Sequence, residues 1–207
     1  MQLIVISNSN AIPNEPQIIN QLFEAGLTRF HLRKPGYDEL QVAELLKQID
    51  EQYHHHIALH QHHAIAKDFG MERLHYTEQH RLNTDTEKLA EQNRQGYILS
   101  TSVHDVATLQ TLKWFDNAFL GPVFNSISKP GYQAKFTGSF YLDKQNINLN
   151  IIALGGIDVS NVNKIKAMNF DGAAVLGSMW NRPEQAVANF KNLKQKLQIL
   201  TENHDDR

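Results

Sequence analysis

Two glycine-containing segments near the C-terminus are spaced for binding a phosphate. Gly155 and Gly156 follow one short apolar run, and Gly177 and Ser178 follow the next. Backbone N–H groups without a neighbouring Cβ can approach an anion closely, and the start of a following helix adds to the attraction. Such sites at the last two strand ends are typical of the phosphate site in (β/α)8 barrels. We therefore predict that these four residues bind a phosphorylated ligand.

Polar residues also follow the earlier apolar runs. Active-site residues of such barrels lie on the loops after the strands, so these positions are candidates: Arg33, Lys34, His60, Ser102 and His104. Histidine titrates near neutral pH and suits proton transfer. We predict His104 as the catalytic base, with His60 as the second candidate. Arg33, Lys34 and Ser102 are predicted to bind substrate. A structural histidine that bonds a neighbouring loop is the alternative for His104.

The segment after the sixth apolar run is longer than most strand-to-helix connections. It spans residues 122–137, whereas such loops usually have about 2 to 6 residues. Ser126, Ser128 and Lys129 offer hydroxyl groups and a cation to an anion. We predict a lid or ligand clamp here, with a solvated loop around the proline-glycine turn as the alternative.

The chain is rich in histidine. It has eleven, and six of them surround the third apolar run, at His54, His55, His56, His60, His62 and His63. Imidazoles can bind zinc, but no His-Glu-x-x-His spacing occurs, so a solvated corner is favoured and we assign no metal ligand. His31, His60 and His75 lie on consecutive predicted strands. They are expected to form a pocket wall for an anionic ligand.

Eight short apolar runs alternate with helical patterns and must position these residues. The runs are 3–6, 29–32, 57–60, 74–76, 97–100, 118–121, 151–154 and 173–176. Alternation of this kind predicts parallel strands with right-handed crossovers, and hence a (β/α)8 TIM barrel. We expect one domain over residues 1–207, with 194–207 as a helical or frayed tail. An open doubly wound sheet is the alternative, although Ser7 to Asn10 occupy the position of its glycine fingerprint.

Local signals mark several helix boundaries. Apolar spacing over residues 18–23 and 42–49 predicts two amphipathic helices. The expected N-caps are Asp38, Asp105 and Ser160, and the expected C-caps are Gly26 and Gly70.

Composition limits the possible classes of function. The 207 residues are 41% hydrophobic, which is enough for one buried core. Twenty basic against 22 acidic residues give no basic surface for nucleic acid or an anionic membrane, so small molecules are the expected partners. Cysteine is absent, which excludes a disulfide or a thiolate nucleophile. Without a recognisable leader or an apolar stretch of about 18 residues, we expect a cytoplasmic protein. A homodimer through the region of Trp180 is also considered.

Five segments, in order along the chain, resemble the thiamine-phosphate synthase and thiazole tautomerase superfamily. They are residues 31–35, 102–104, 121–129, 153–157 and 174–178. The resemblance runs from about Leu3 to about Leu193, and the Gly-Pro-Val-Phe segment with its Ser-x-Ser-Lys clamp is the most specific element. It implies a barrel enzyme of thiamine biosynthesis.

The resemblance also implies which residues contact the substrate. Arg33 matches the arginine that contacts pyrophosphate in the synthases. The thiazole end would be bound by Ser126, Ser128 and Lys129, and its phosphate by Gly156 and the backbone of Gly177 and Ser178.

The two branches of this superfamily need different chemistry. Synthases join an aminopyrimidine pyrophosphate to a thiazole phosphate with Mg²⁺, which prefers oxygen ligands. Their Asn-Asp pair corresponds here to His60 and Gln61, and a later aspartate to His80. Tautomerases need a base and no metal, but Pro122 occupies the place of their histidine. We favour a tautomerase-like proton transfer on a thiazole carboxylate phosphate without a cofactor. A Mg²⁺-dependent synthase and a non-catalytic thiazole or thiamine phosphate-binding protein are the alternatives.

Overall fold

The strands close into a barrel. The structure, a computed structural model, describes residues 1–125, 134–136 and 140–202, with only the backbone given for 198–202. All eight strands are parallel, and each pairs with its neighbour along the chain until β8 pairs with β1. They are β1 Gln2–Ile6, β2 Phe30–Leu32, β3 Ile57–Leu59, β4 Arg73–Tyr76, β5 Ile98–Val103, β6 Asn117–Leu120, β7 Asn150–Leu154 and β8 Gly172–Val175. The predicted TIM barrel is confirmed, and the open sheet is wrong.

Helices and 3₁₀ turns connect the strands on the outside. Within the described ranges the α-helices are α1 Glu15–Glu24, α2 Glu39–Leu46, α3 Glu78–Leu82, α4 Thr86–Arg94, α5 Lys164–Ala167, α6 Gly177–Trp180 and α7 Ala186–Glu202. The 3₁₀ segments are Glu51–His56, His63–Phe69, Ala107–Thr111 and Pro183–Gln185. The connections after β3 and β5 contain only 3₁₀ turns, so these parts of the outer layer are thinner than in a regular barrel.

The predicted helix boundaries are confirmed in part. Asp38 forms a capping box with Gln41 at the start of α2, as expected from its side chain. Asp105 accepts a bond from the Thr108 N–H at 2.8 Å, but the segment that follows is a 3₁₀ turn. Ser160 is not an N-cap: its hydroxyl donates to Asp158, and α5 begins only at Lys164.

The interior of the barrel has two chemically different halves. Ile4, Ile6, Phe119, Ile152 and Ala174 pack together inside it, on β1, β6, β7 and β8. Strands β2, β4 and β5, with the position directly after β3, instead place polar side chains inside, and these are His31, His60, His75, Ser100 and Ser102. Barrel interiors are usually filled by bulky apolar residues, so this polar half needs a specific explanation.

Trp180 belongs to the core. Its indole Nε1–H donates to the Ile6 carbonyl oxygen at 2.6 Å, and the side chain is buried. It therefore offers no exposed surface to a second copy of the chain. In the described part of the chain, the helices are too short or too polar to span a lipid bilayer.

Candidate active site at the carboxyl ends of the strands

The turn after β7 requires its two glycines. Gly155 and Gly156 have φ values of +99° and +65°, which glycine adopts without steric cost. A Cβ on Gly156 would lie 2.5 Å from the Asn125 carbonyl oxygen and 2.6 Å from that of Phe124. The glycines therefore let the segment after β6 pack closely over the end of β7.

The turn after β8 lies beside this first turn, because Leu154 at the end of β7 pairs with Ala174 on β8. Gly177 and Ser178 open the short helix α6. Among the described residues, none accepts a bond from the N–H of Gly156, Gly177 or Ser178. The buried Ser178 hydroxyl likewise has no partner within the described ranges. We call Gly155, Gly156, Gly177 and Ser178 the phosphate cup; its predicted role is compatible with these free donors.

His104 follows β5 and is fixed by the end of β6. Its Nδ1 lies 2.9 Å from the Gly121 carbonyl oxygen, which can only accept, so Nδ1 carries the proton. The lone pair is therefore on Nε2. The Oε2 of Glu78 lies 3.8 Å from that nitrogen, and both side chains are partly exposed. His104 thus bonds a neighbouring loop, as the alternative predicted, and still presents a free base.

Arg33 links the ends of the first two strands. Its backbone N–H donates to the Ser7 hydroxyl at 2.8 Å, and its Nη1 donates to the Ser9 hydroxyl at 2.7 Å. Burial lowers the pKa of His60 and His75 most, and the positive charge of Arg33 adds to that lowering. The guanidinium therefore lies close to the polar half of the barrel, where an anionic substrate could reach it.

Lys34 is a correction to the sequence analysis. Its Nζ lies 2.6 Å from Glu15 Oε2 and donates to the Asn10 carbonyl oxygen at 2.7 Å, and the side chain is fully buried. Burial raises the pKa of Glu15, while the bond and charge of Lys34 oppose that rise. Lys34 lies two residues beyond the end of β2, and its side chain meets Glu15 at the start of α1. Its ammonium holds the fold together and is not free for a phosphate.

Three imidazoles meet inside the barrel, and we call His31, His60 and His75 the histidine cluster. His31 Nδ1 lies 3.0 Å from His60 Nε2, and the rings of His60 and His75 stack with centroids 3.9 Å apart. Burial, helped by Arg29 and Arg73, lowers the pKa of His31 to about 3. Burial also holds the pKa of His60 and His75 well below the usual value. All three rings are therefore neutral at pH 7.

Two residues predicted for the site, His60 and Ser102, belong to the histidine cluster or contact it. His60 is enclosed, and its Nε2 already contacts His31. The Ser102 hydroxyl lies 3.0 Å from His75 Nε2, and the Ser100 hydroxyl 2.9 Å from His75 Nδ1. His104 is therefore better placed than His60 to meet a substrate at the strand ends, and Ser102 faces His75.

The donor set at the expected magnesium positions does not fit Mg²⁺. The Gln61 amide accepts from the backbone N–H of Lys34 and donates to its carbonyl oxygen. His80 packs against the rings of Tyr76 and His63. Imidazole and an engaged amide replace the carboxylate oxygens that Mg²⁺ prefers, so these residues do not provide a magnesium site.

His54 and His62, on either side of β3, are bonded to backbone carbonyl oxygens. His54 Nε2 lies 3.1 Å from the carbonyl oxygens of Leu46 and Ile49. His62 Nε2 bonds the Tyr37 carbonyl in the same way, at 2.9 Å. These bonds favour a structural role for His54 and His62 over zinc binding.

The predicted clamp residues Ser126, Ser128 and Lys129 lie outside the described residues, so their role stays a prediction. Two other charged groups near the site were missed by the sequence analysis. Glu78 follows β4, a position that the strand-end rule would have included. Lys135 lies in a long loop, and its Nζ reaches the His104 carbonyl oxygen at 3.3 Å; loop length alone gave no signal for it.

The closed barrel is that of a (β/α)8 protein, and the backbone donors and the imidazole at its carboxyl-end rim form a candidate small-molecule site. Residues 3–179 match the family described as thiamine monophosphate synthase, and the chain belongs to that family. The thiamine-phosphate synthase of Lysinibacillus sphaericus (strain C3-41) is 28% identical over 204 residues, which cover 91% of this chain and 93% of that protein. The superfamily predicted from the sequence is confirmed.

Solved structures agree with this family. The crystal structure of thiamine phosphate pyrophosphorylase from Bacteroides thetaiotaomicron has a TM-score of 0.75 and 27% identity, covering 96% of this chain and 98% of that one. Thiamine phosphate pyrophosphorylase from Pyrococcus furiosus has a TM-score of 0.77 at 16% identity and 95% coverage of both chains, which shows the shared fold. The prediction of an enzyme from this family is confirmed at the level of the family.

Proposed function

We propose that this chain binds a phosphorylated thiazole at the carboxyl-end rim of the barrel and moves a proton on its ring without Mg²⁺. The observation that carries the proposal is the free Nε2 lone pair of His104, fixed by the Gly121 carbonyl oxygen. Gly121 in turn precedes Pro122, whose atoms pack against Gly155. The end of β6 therefore lies between the base, which follows β5, and the phosphate cup, which follows β7 and β8.

The phosphate cup supports an anionic ligand. Three backbone N–H groups, those of Gly156, Gly177 and Ser178, have no acceptor among the described residues. Such donors suit a phosphate dianion because each can make a charge-assisted hydrogen bond. In this proposal Lys129 and the serines of the clamp contact the other face of the ligand.

The proton is transferred at Nε2 of His104. The neutral imidazole removes a ring proton and becomes an imidazolium, which later returns the proton to another ring atom. The carboxylate of Glu78 lies 3.8 Å from Nε2 and stabilises that positive charge electrostatically. Gly121 keeps the ring in the required tautomer throughout.

The transfer reaction named for the relatives is the second candidate. The names of the thiamine-phosphate synthases favour it, and so does Arg33 at the rim. The histidine and glutamine side chains at the expected magnesium positions argue against the usual form of that reaction. The third candidate function is binding of the thiazole phosphate without turnover.

The experiment measures turnover of a thiazole carboxylate phosphate by NMR, with and without added Mg²⁺. We expect aromatisation of the ring at the same rate in both cases. His104→Asn keeps a side-chain donor for the Gly121 carbonyl oxygen but lacks Nε2, so kcat should fall by about 10² to 10⁴. His55→Asn is the control, because His55 is exposed and precedes β3 at the opposite end of the barrel.

Other results would identify the other functions. Turnover that appears only with an aminopyrimidine pyrophosphate and Mg²⁺ would establish the synthase. Tight binding of the thiazole phosphate with neither reaction would establish the non-catalytic protein. Three further predictions stay open. We expect a cytoplasmic location and a homodimer. We also expect a single domain over residues 1–207, with a tail at 194–207.

A further inference from the structure

The histidine cluster lies where a barrel normally has aliphatic side chains. The His31 and His75 rings pack on Phe119, with centroid distances of 4.7 and 4.9 Å. The three imidazoles are between 1% and 6% exposed. Burying a polar group is costly unless its hydrogen-bonding capacity is satisfied, so each ring nitrogen should have a partner.

The hydrogen bonds of the cluster are incomplete. His75 bonds two serine hydroxyls, and His31 and His60 share one contact. The buried Nδ1 of His60 has no partner among the described residues. The described residues therefore leave part of the hydrogen-bonding capacity of the cluster unused, although it lies buried in the polar half of the barrel.

We propose that His31, His60 and His75 bind one zinc-type metal ion inside the barrel. Each residue offers a nitrogen, and the three atoms lie within 4.8 Å of one another. On a tetrahedral zinc with Zn–N bonds of 2.0–2.1 Å, ligand nitrogens are about 3.3 Å apart. His31 Nδ1 and His60 Nε2 are already 3.0 Å apart. The widest gap needs to contract by about 1.5 Å, which rotation of the side chains can supply.

Ser100 and Ser102 complete the arrangement. A metal-bound histidine usually donates its other ring N–H to an oxygen, which fixes the ring. Each His75 nitrogen lies beside a serine hydroxyl, so one can turn to the metal while the other keeps its bond.

The donor set selects the metal. Three imidazole nitrogens suit Zn²⁺, Co²⁺ and Ni²⁺, whereas Mg²⁺ prefers oxygen. A cavity of about 240 Å³ at the amino end of the barrel is lined in part by His31, Ser100, Arg29 and Arg73, which gives a route to the cluster.

The experiment is titration of the whole metal-free chain with Zn²⁺ by calorimetry and with Co²⁺ by visible absorption. We expect one tight equivalent and the intense visible bands of four-coordinate Co²⁺. X-ray absorption of the zinc complex should show three nitrogens at about 2.0–2.1 Å. Mg²⁺ should not compete.

Matched variants separate this site from surface histidines. His31→Leu, His60→Leu and His75→Leu should each weaken zinc binding at least about 100-fold, because loss of a ligand exceeds the 10- to 100-fold typical of an outer-shell loss. His54→Leu removes another buried histidine, and His55→Asn with His56→Asn removes a neighbouring pair, of which His55 is exposed and His56 is half-buried. These controls should keep the affinity within a few-fold.

Two results would overturn the site. The first is a wild-type chain that binds no stoichiometric zinc, or whose X-ray absorption spectrum shows zinc with six oxygen or nitrogen ligands. The second is folded cluster variants that bind zinc like wild type. If a variant does not fold, the wild-type Co²⁺ and X-ray absorption spectra still decide. None of these measurements uses thiazole turnover, so the proton-transfer proposal stands or falls separately.

Discussion

The buried ion pair between Glu15 and Lys34 provides the sharpest test of the assigned roles. The two side chains are 2% and 0% exposed, and their charged atoms lie 2.6 Å apart. The perturbation is a set of three variants: Glu15→Gln, Lys34→Met and the double substitution. If Lys34 is structural, the set should change stability in a coupled way and leave ligand affinity largely unchanged.

The magnitude follows from what each variant leaves behind. Lys34→Met leaves a buried carboxylate without a cation, which costs about 3 to 5 kcal/mol of unfolding free energy. Glu15→Gln keeps an oxygen that can accept from Lys34 Nζ, so its cost should be smaller, about 1 to 3 kcal/mol. The double variant removes both charges and should recover much of the larger loss, because neutral replacement of a buried pair is often close to neutral.

The pKa of Glu15 predicts how the stability of Lys34→Met changes with pH. Burial raises the pKa of Glu15, and Lys34 provides the two largest contributions that lower it. Without Lys34 the pKa of Glu15 rises further, so the folded variant holds a proton that the unfolded chain releases above about 4.5. The variant is then most stable below that value and loses stability as pH rises through the folded pKa. The difference from wild type should therefore be smaller at pH 5 than at pH 8.

The assay is urea unfolding followed by circular dichroism at both pH values, with equal m-values as the check on a common mechanism. Lys47→Met is the control, because its pair with Glu44 is more than 60% exposed and should contribute less than about 1 kcal/mol. A cost below about 1 kcal/mol for Lys34→Met would refute the structural role. So would a double variant that folds like wild type but no longer binds the thiazole phosphate.

Three further predictions concern the rim of the barrel. Lys129→Ala should weaken thiazole phosphate binding by about 1.5 to 3 kcal/mol, which is roughly 10- to 150-fold in affinity measured by calorimetry. The control Lys47→Ala should leave the affinity unchanged. Equal affinities of the two variants would remove Lys129 from the site. Gly156→Ala should lower the melting temperature more than Gly70→Ala, since both have φ above +60° but only Gly156 faces nearby carbonyl oxygens. Equal shifts would show that close packing is unimportant there. Glu78→Gln should reduce kcat less than His104→Asn does and leave KM unchanged; an unaffected kcat would exclude electrostatic support by Glu78.

Local sequence patterns were sufficient for the architecture. The eight apolar runs and the intervening helical patterns predicted all eight strands, because burial on a strand or one helix face imposes a short period on the chain. The cap at Asp38 was also predictable from local sequence, because its partner Gln41 is only three residues away. Gly155 and Gly156 could be placed at a strand end because they directly follow an apolar run.

The contacts that define the site depend on residues far apart in the sequence. Closure of the barrel places His60 against His31, 29 positions away, and the Gly121 carbonyl against His104, 17 positions away. Lys34 was expected at the rim until the structure paired it with Glu15 on α1. The sequence by itself determined the order of strands and which positions stand at their ends. Only the tertiary structure decided which nitrogen is free, which cation is buried and which imidazoles meet, because these depend on distances between elements that no local period contains.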